Sequence, residues 1–175
     1  DADCSANNKI SGTISIPDSV TRIGNEAFSK NQIDALSLGT NVQAIGTSAF
    51  ADNHISGAVT IPDTVTGIGD KAFANNQIDT LNLGANVKTI GTSAFADNKI
   101  GTVTIPNTVT DIGDSAFTGN QIKGTVTIPD SVVNIGSDAF SKNQIDALNL
   151  GANVKTIGTS AFADNKISTV TIPNT

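Results

Sequence analysis

The 175-residue chain contains no methionine, tryptophan or tyrosine, one cysteine (Cys4) and one histidine (His54). Each scarcity removes a class of protein. One cysteine cannot build a disulfide framework or a cysteine-rich zinc site. One histidine cannot supply a site that needs two imidazoles. Glu26 is the only glutamate, so no glutamate pair exists to share acid and base roles. Charge is sparse and acidic: 10 lysines and arginines stand against 16 acids, a net charge of −6. That balance argues against nucleic acid and anionic membranes, which attract basic patches. No apolar run approaches the ~18 residues of a membrane-spanning helix. No signal-peptide pattern opens the chain at Asp1. No glycosylation sequon, phosphate-binding loop or dinucleotide fingerprint occurs.

What is present is a repeat. The seven phenylalanines, each preceded by alanine, are Phe28, Phe50, Phe73, Phe95, Phe117, Phe140 and Phe162, at intervals of 22 or 23. Asn8, Asn31, Asn53, Asn76, Asn98, Asn120, Asn143 and Asn165 keep the same beat. The longer intervals carry one extra glycine before the strand, at Gly12, Gly57 and Gly124. Two kinds of unit alternate. One has Ile-Pro after the strand, at Pro17, Pro62, Pro106, Pro129 and Pro173; the other has Leu-Gly, at Gly39, Gly84 and Gly151. Only at Pro106 and Pro129 do two proline units meet. Residues 76–108 and 143–175 agree at 31 of 33 positions, surface positions included, which points to a recent duplication of three units. Cys4 and Ser5 stand where Ala-Phe belongs, and neither end carries a polar cap. Solenoids normally need such caps. The expectation is one solenoid domain over residues 1–175, with seven to eight coils, forming part of a longer array.

One unit shows the physical reading. Thr102-Val103-Thr104-Ile105 alternates polar and apolar β-branched residues, the pattern of a half-buried strand with Val103 and Ile105 inward. Pro106 ends it, having no N–H for a ladder. Val109 and Ile112 face the core on the return path, and Gly113 permits a turn. Asp114-Ser115-Ala116-Phe117 reads as a short helical or 3₁₀ turn capped by Asp114. Phe117 plugs the far end of the coil, and Asn120 leads to the next strand. Stacking buries what one unit leaves exposed, and the strands align into a parallel sheet at ~4.8 Å per coil. Asn31, Asn53, Asn76, Asn98, Asn120, Asn143 and Asn165 are expected to form a buried ladder that satisfies backbone groups of adjacent coils.

The pattern Val103-Thr104-Ile105-Pro106, Val109, Ile112-Gly113, Ala116-Phe117 resembles the BspA-like leucine-rich repeat family, and it recurs along essentially the whole chain. Two departures exist: asparagine replaces the family's cysteine throughout, and glycine replaces proline in three units. The resemblance implies a leucine-rich-repeat horseshoe with a parallel β-sheet and short helical or 3₁₀ turns. It also implies an extracellular or cell-surface protein of bacteria or protists that adheres to a protein or glycan on host or neighbouring cells.

Chemistry would require a cluster that breaks the repeat, and the sequence holds none. His54 replaces the Lys or Gln of other units and reads as a solvated turn residue. Cys4 lacks a plausible catalytic partner. Asp52, Asp97 and Asp164 share one slot, and Asp70 and Asp114 share another, without the dense spacing of a calcium loop. No enzyme activity, cofactor, metal, nucleic acid or membrane insertion is expected. The candidate binding surface is the outward side of the strands: Thr13 and Ser15, Ala35 and Ser37, Ala58 and Thr60, Thr80 and Asn82, Thr102 and Thr104, Thr125 and Thr127, Ala147 and Asn149, Thr169 and Thr171. None is charged or aromatic, so the Trp, Tyr and Arg that usually anchor tight interfaces are missing. The leading expectation is an adhesive or ligand-recognising scaffold. A structural spacer and an ice-binding protein that uses the Thr-rich strands are the alternatives.

Overall fold

The computed structural model describes residues 6–174. In chain order its strands are β1 (Ser11–Ser15), β2 (Arg22–Ile23), β3 (Gln32–Ser37), β4 (Ala44–Ile45), β5 (Ser56–Thr60), β6 (Gly67–Ile68), β7 (Gln77–Asn82), β8 (Thr89–Ile90), β9 (Asp111–Ile112), β10 (Lys123–Thr127), β11 (Asn134–Ile135), β12 (Gln144–Asn149), β13 (Thr156–Ile157) and β14 (Thr169–Thr171). All pairings are parallel, and each joins a coil to its neighbour, so the chain is a parallel β-solenoid of 22- or 23-residue coils.

Two kinds of strand lie on two sides of each coil. The two-residue strands form one unbroken seven-stranded sheet, in the order β13-β11-β9-β8-β6-β4-β2. The longer strands, on which the sequence reading placed the sheet, pair only in groups: β1 with β3, β5 with β7, and β10-β12-β14. Thr102–Ile105 holds the corresponding place in its repeat and keeps the expected alternation, with Thr102 and Thr104 exposed and Ile105 buried, but it is not a strand. The continuous ladder is therefore on the opposite side of the coil from the one expected.

The helical or 3₁₀ turns are absent among the described residues. The residue before Ala-Phe has a positive φ in every such segment, +53° at Ser48 and +55° at Ser115, for example. One left-handed residue stops a right-handed helix. The chain instead makes two successive turns, with Ala116 N–H donating to Gly113 O and Thr118 N–H to Ser115 O. Ser115 N–H and Phe117 N–H are thereby aimed at Ser137 O and Ala139 O of the next coil, both at 2.7 Å.

The core is a column. Phe50, Phe73, Phe95, Phe117 and Phe140 are fully buried, and successive rings stack with centroids 5.1–5.5 Å apart. Isoleucine and valine columns run beside them: Ile33, Ile55, Ile78, Ile100, Ile122 and Ile145 at the strand starts, and Val42, Val65, Val87, Val109 and Val132 on the return path. A phenyl ring adds about 0.5–1.5 kcal/mol per stacked pair beyond the burial of its area.

The two kinds of unit have a steric cause. A Cβ on Gly39, Gly84 or Gly151 would overlap the carbonyl oxygen of Pro17, Pro62 or Pro129 in the coil before. Only glycine allows that approach, and those are the pairs β1-β3, β5-β7 and β10-β12. Each of these pairs also takes up the extra glycine. After Gly12, Gly57 and Gly124, at φ +75°, +71° and +75°, the register shifts by one residue, and Asp34, Asp79 and Asp146 of the next strand have no ladder partner. Where a proline unit comes next, pairing stops after β3, after β7 and after Thr102–Ile105; β14 alone still pairs, through three residues.

Candidate functional site

The outward positions form one face. Thr13, Ser15, Ser37, Thr60, Thr80, Asn82, Thr102, Thr104, Thr125, Thr127, Thr169 and Thr171 are exposed, and Asn149, Ala35 and Ala147 are half-buried. Pairing sets hydroxyls and small groups side by side: Thr13 beside Ala35, Ser15 beside Ser37, Thr60 beside Asn82, Thr127 beside Asn149 and Asn149 beside Thr171. Asn82 and Asn149 donate to the hydroxyls of Thr60 (3.3 Å) and Thr127 (3.4 Å).

The sequence reading took this face as uncharged and missed its margin. Asp34, Asp79 and Asp146 are exposed immediately before the outward pair in the Leu-Gly units. Asp34 and Asp146 accept the N–H of Gly12 (3.1 Å) and Gly124 (2.9 Å). Asp79 accepts the hydroxyl of Thr80 at 2.8 Å. The signal was legible: an acid recurs opposite each inserted glycine.

The asparagines sit inside. Asn31, Asn53, Asn76, Asn98, Asn120 and Asn143 are buried, and Asn165 is half-buried. Asn98 shows the arrangement. Its amide nitrogen faces Phe95 O and Ala96 O of its own coil, both at 3.2 Å, and Phe73 O of the coil before at 2.9 Å. Its Oδ1 accepts Ile78 N–H of that earlier coil at 3.1 Å. Asn53, Asn76, Asn120, Asn143 and Asn165 make the same set. The position before each asparagine is left-handed, at Asn7, Lys30, Asp52, Asn75, Asp97, Gly119, Lys142 and Asp164. Its bias toward Asn, Asp and Gly is what that conformation favours.

The carboxylates hold coils together. Asp114 does not cap its own turn as expected; its Oδ1 accepts Ser137 N–H of the next coil at 2.7 Å, and Asp70 does the same for Thr92 N–H at 2.8 Å. Asp18, Asp63 and Asp130 accept the N–H of Thr40, Ala85 and Ala152 at 2.7–2.8 Å. The Thr40 N–H, helped by the Thr40 hydroxyl, holds the exposed Asp18 carboxyl below the usual carboxylate range. Asn134, then Thr110, does the same for Asp111. His54 is exposed. Cys4 lies outside the described residues. Among the described residues, no three His, Cys, Asp or Glu side chains form a metal cluster, and no helix is long and apolar enough to cross a membrane.

A solenoid of short parallel coils with an Ala-Phe stack and an asparagine ladder is a leucine-rich-repeat architecture. The family model for the BspA type leucine-rich repeat region matches residues 3–123 and 112–175, in six copies. The chain belongs to that family. Among solved structures it is similar to the pneumococcal vaccine antigen PcpA, at 21% identity over 93% of this chain and 51% of that one, with a TM-score of 0.64. It is also similar to a leucine-rich cell surface protein from Faecalibacterium prausnitzii A2-165, at 21% identity over 92% of this chain and 60% of that one, with a TM-score of 0.49. The chain thus spans only 51% and 60% of these two proteins. No curated protein matches it.

Proposed function

We propose that the chain is a non-enzymatic interaction scaffold, placed at the cell surface or secreted, which recognises a protein or glycan through the outward face of its longer strands. Residues 1–175 act in this reading as one solenoid domain. The observation that carries it is the exposure of the small-hydroxyl face, from Thr13 to Thr171, on coils locked together behind it. Such a face lacks aromatic anchors, so binding rests on many weak contacts repeated along the array. The acidic margin of Asp34, Asp79 and Asp146 adds a preference for partners that are basic there. Surface display is supported by family membership.

The spacer reading has one specific support, the 31 of 33 identities between residues 76–108 and 143–175, because a stalk needs length rather than a distinctive surface. Ice binding is disfavoured: the ladder of the Thr face breaks after β3, after β7 and after Thr102–Ile105. A binding screen against extracellular matrix proteins and glycans at physiological salt tests the proposal. A saturable hit that weakens when Thr60 and Thr127 become Asp supports it. Absence of any hit, with no change in ice-crystal shape, shifts the assignment to a spacer.

A further inference from the structure

Where a proline unit follows a Leu-Gly unit, the ladder of the long strands lapses, but the corner after them is clamped. Thr64 donates to Thr40 O and Val42 O, and Thr108 to Ala85 O and Val87 O. Where a Leu-Gly unit follows a proline unit, the strands are laddered and the corner is held as well. There Asn41 Nδ2 donates to Asp18 O, and Asn153 Nδ2 to Asp130 O, at 2.8 Å each. The meeting of two proline units, at Pro106 and Pro129, has neither device. Thr102–Ile105 is not laddered to β10, and Ser131, which holds the place of Thr64 and Thr108, keeps a solvent-shielded hydroxyl with no partner. Among the described residues, no hydrogen bond joins residues 102–108 to residues 124–131.

The return side of the same junction is closed. β9 pairs with β11, and Val133 N–H donates to Thr110 O and Gly136 N–H to Ile112 O, both at 2.8 Å. Phe117 stacks on Phe140 at 5.1 Å, and Asn120 Oδ1 accepts Ile100 N–H at 3.0 Å. On the long-strand side the last link is Lys123 N–H to Gly101 O, at 3.1 Å. Beyond it an open cleft of about 730 Å³ lies between Val103, Thr104 and Ile105 on one wall and Thr125, Thr127 and Pro129 on the other. The cause is steric. Close approach of the long strands takes a glycine in the following coil, as at Gly39, Gly84 and Gly151, and Pro129 stands there instead. To either side, the ladders β5-β7 and β10-β12-β14 make firm blocks.

We propose that this junction is a hinge: the coils up to Pro106 and those from Lys123 onward tilt against each other about the return sheet, opening and closing the cleft. A hinge needs one edge that stays joined and one that has few bonds to lose. At the other junctions, opening would break a ladder or a threonine clamp; here it breaks neither. In a repeat array each coil touches only its neighbours, so one loose junction divides the motion of the chain in two. The presenting face thereby changes its curvature at one point, between Thr104 and Thr127, while the phenylalanine column stays intact. The hinge is independent of the interaction reading: a chain that captures nothing in the binding screen would still tilt here.

Spin-label pairs read the hinge in the full chain, with Cys4→Ser as the background. Each pair spans four coils between exposed positions. Thr80→Cys with Thr169→Cys crosses the junction on the presenting side. Thr13→Cys with Thr102→Cys lies on the same side but ends before it. Thr66→Cys with Lys155→Cys crosses it on the return side. Matching thermal melts show that each labelled chain is folded. The hinge predicts a broader distance distribution for the first pair than for the other two. Ser131→Thr supplies the hydroxyl clamp on a side chain whose branched Cβ limits its rotation. It should narrow the first distribution to the width of the second and leave the other two unchanged. Equal widths for the first two pairs overturn the proposal, as does a return-side pair as broad as the first. A broad first pair that Ser131→Thr leaves unchanged assigns the motion to the coil that carries Thr169, and also overturns it.

Discussion

The two sides of each coil are built from similar β-branched residues but are held differently. On the return side, two-residue strands make one sheet of seven, backed by the phenylalanine stack and the asparagine ladder. On the long-strand side, strands of three to six residues form only small groups. Strand length does not decide the continuity of the sheet. Approach of the backbones does. The return side keeps a glycine at every coil, such as Gly91 and Gly113, where a Cβ would meet the backbone of the coil before at 2.6 Å. On the long-strand side only Gly39, Gly84 and Gly151 make so close an approach. Cohesion therefore belongs to one side, leaving the other side free to present groups to a partner.

Perturbing the cohesive side should cost most. Phe95 is fully buried between Phe73 and Phe117. Phe95→Ala should destabilise by about 3–5 kcal/mol in urea or thermal unfolding, because neighbouring rings cannot collapse into the gap. Asn98→Ala comes next. It leaves Ile78 N–H without its acceptor, while the carbonyls of Phe73, Phe95 and Ala96 keep Asn76, Asn120 and the Asn75 N–H, and should cost about 1–3 kcal/mol. A neutral result there would show that the asparagine ladder carries none of the cohesion.

Acid should have a smaller effect. Asp111 has a lowered pKa in the folded chain, first through Asn134 and then through Thr110. A depressed folded pKa means that its contribution is present above the unfolded value and fades as pH falls through the folded one. The change belongs below the usual carboxylate range and is small, because the group is largely solvated. Melts from neutral pH to pH 2 should show Asp111→Asn losing less stability than the parent; an equal loss removes Asp111 from the account. Smallest is Thr104→Ala on the presenting side, expected within about 0.5 kcal/mol of the parent, since its side chain is exposed and makes no hydrogen bond among the described residues.

The same contrast explains what the sequence could reveal. The 22- and 23-residue beat, the inward Phe117 and Ile105, the outward Thr104 and the role of Gly57 in lengthening the interval were all legible, because periodicity and burial are local properties. The partner of each backbone group was not. Asp114 reads as a cap for its own turn, yet it serves a coil 23 residues away. Ser115 gives no local sign of a left-handed backbone; only comparison with Lys71 and Asp138 in the same slot exposes it. The break at Thr102–Ile105 was visible only as two adjacent proline units, and its meaning needed the Gly39-to-Pro17 contact, which no single unit contains. For the binding face, the small outward residues were plain, but the acidic margin required knowing that Asp34 and Asp146 swing toward Gly12 and Gly124.

Residue-resolved amide hydrogen exchange measures the two sides in one sample. The amides of Ile55, Ile78 and Ile100, each held by an asparagine of the next coil, should be among the most protected, whereas those of Val103, Thr104 and Ile105 should exchange near the rate of unstructured chain. Protection at Val103–Ile105 equal to that at Ile100 would contradict the division into a cohesive side and a presenting one.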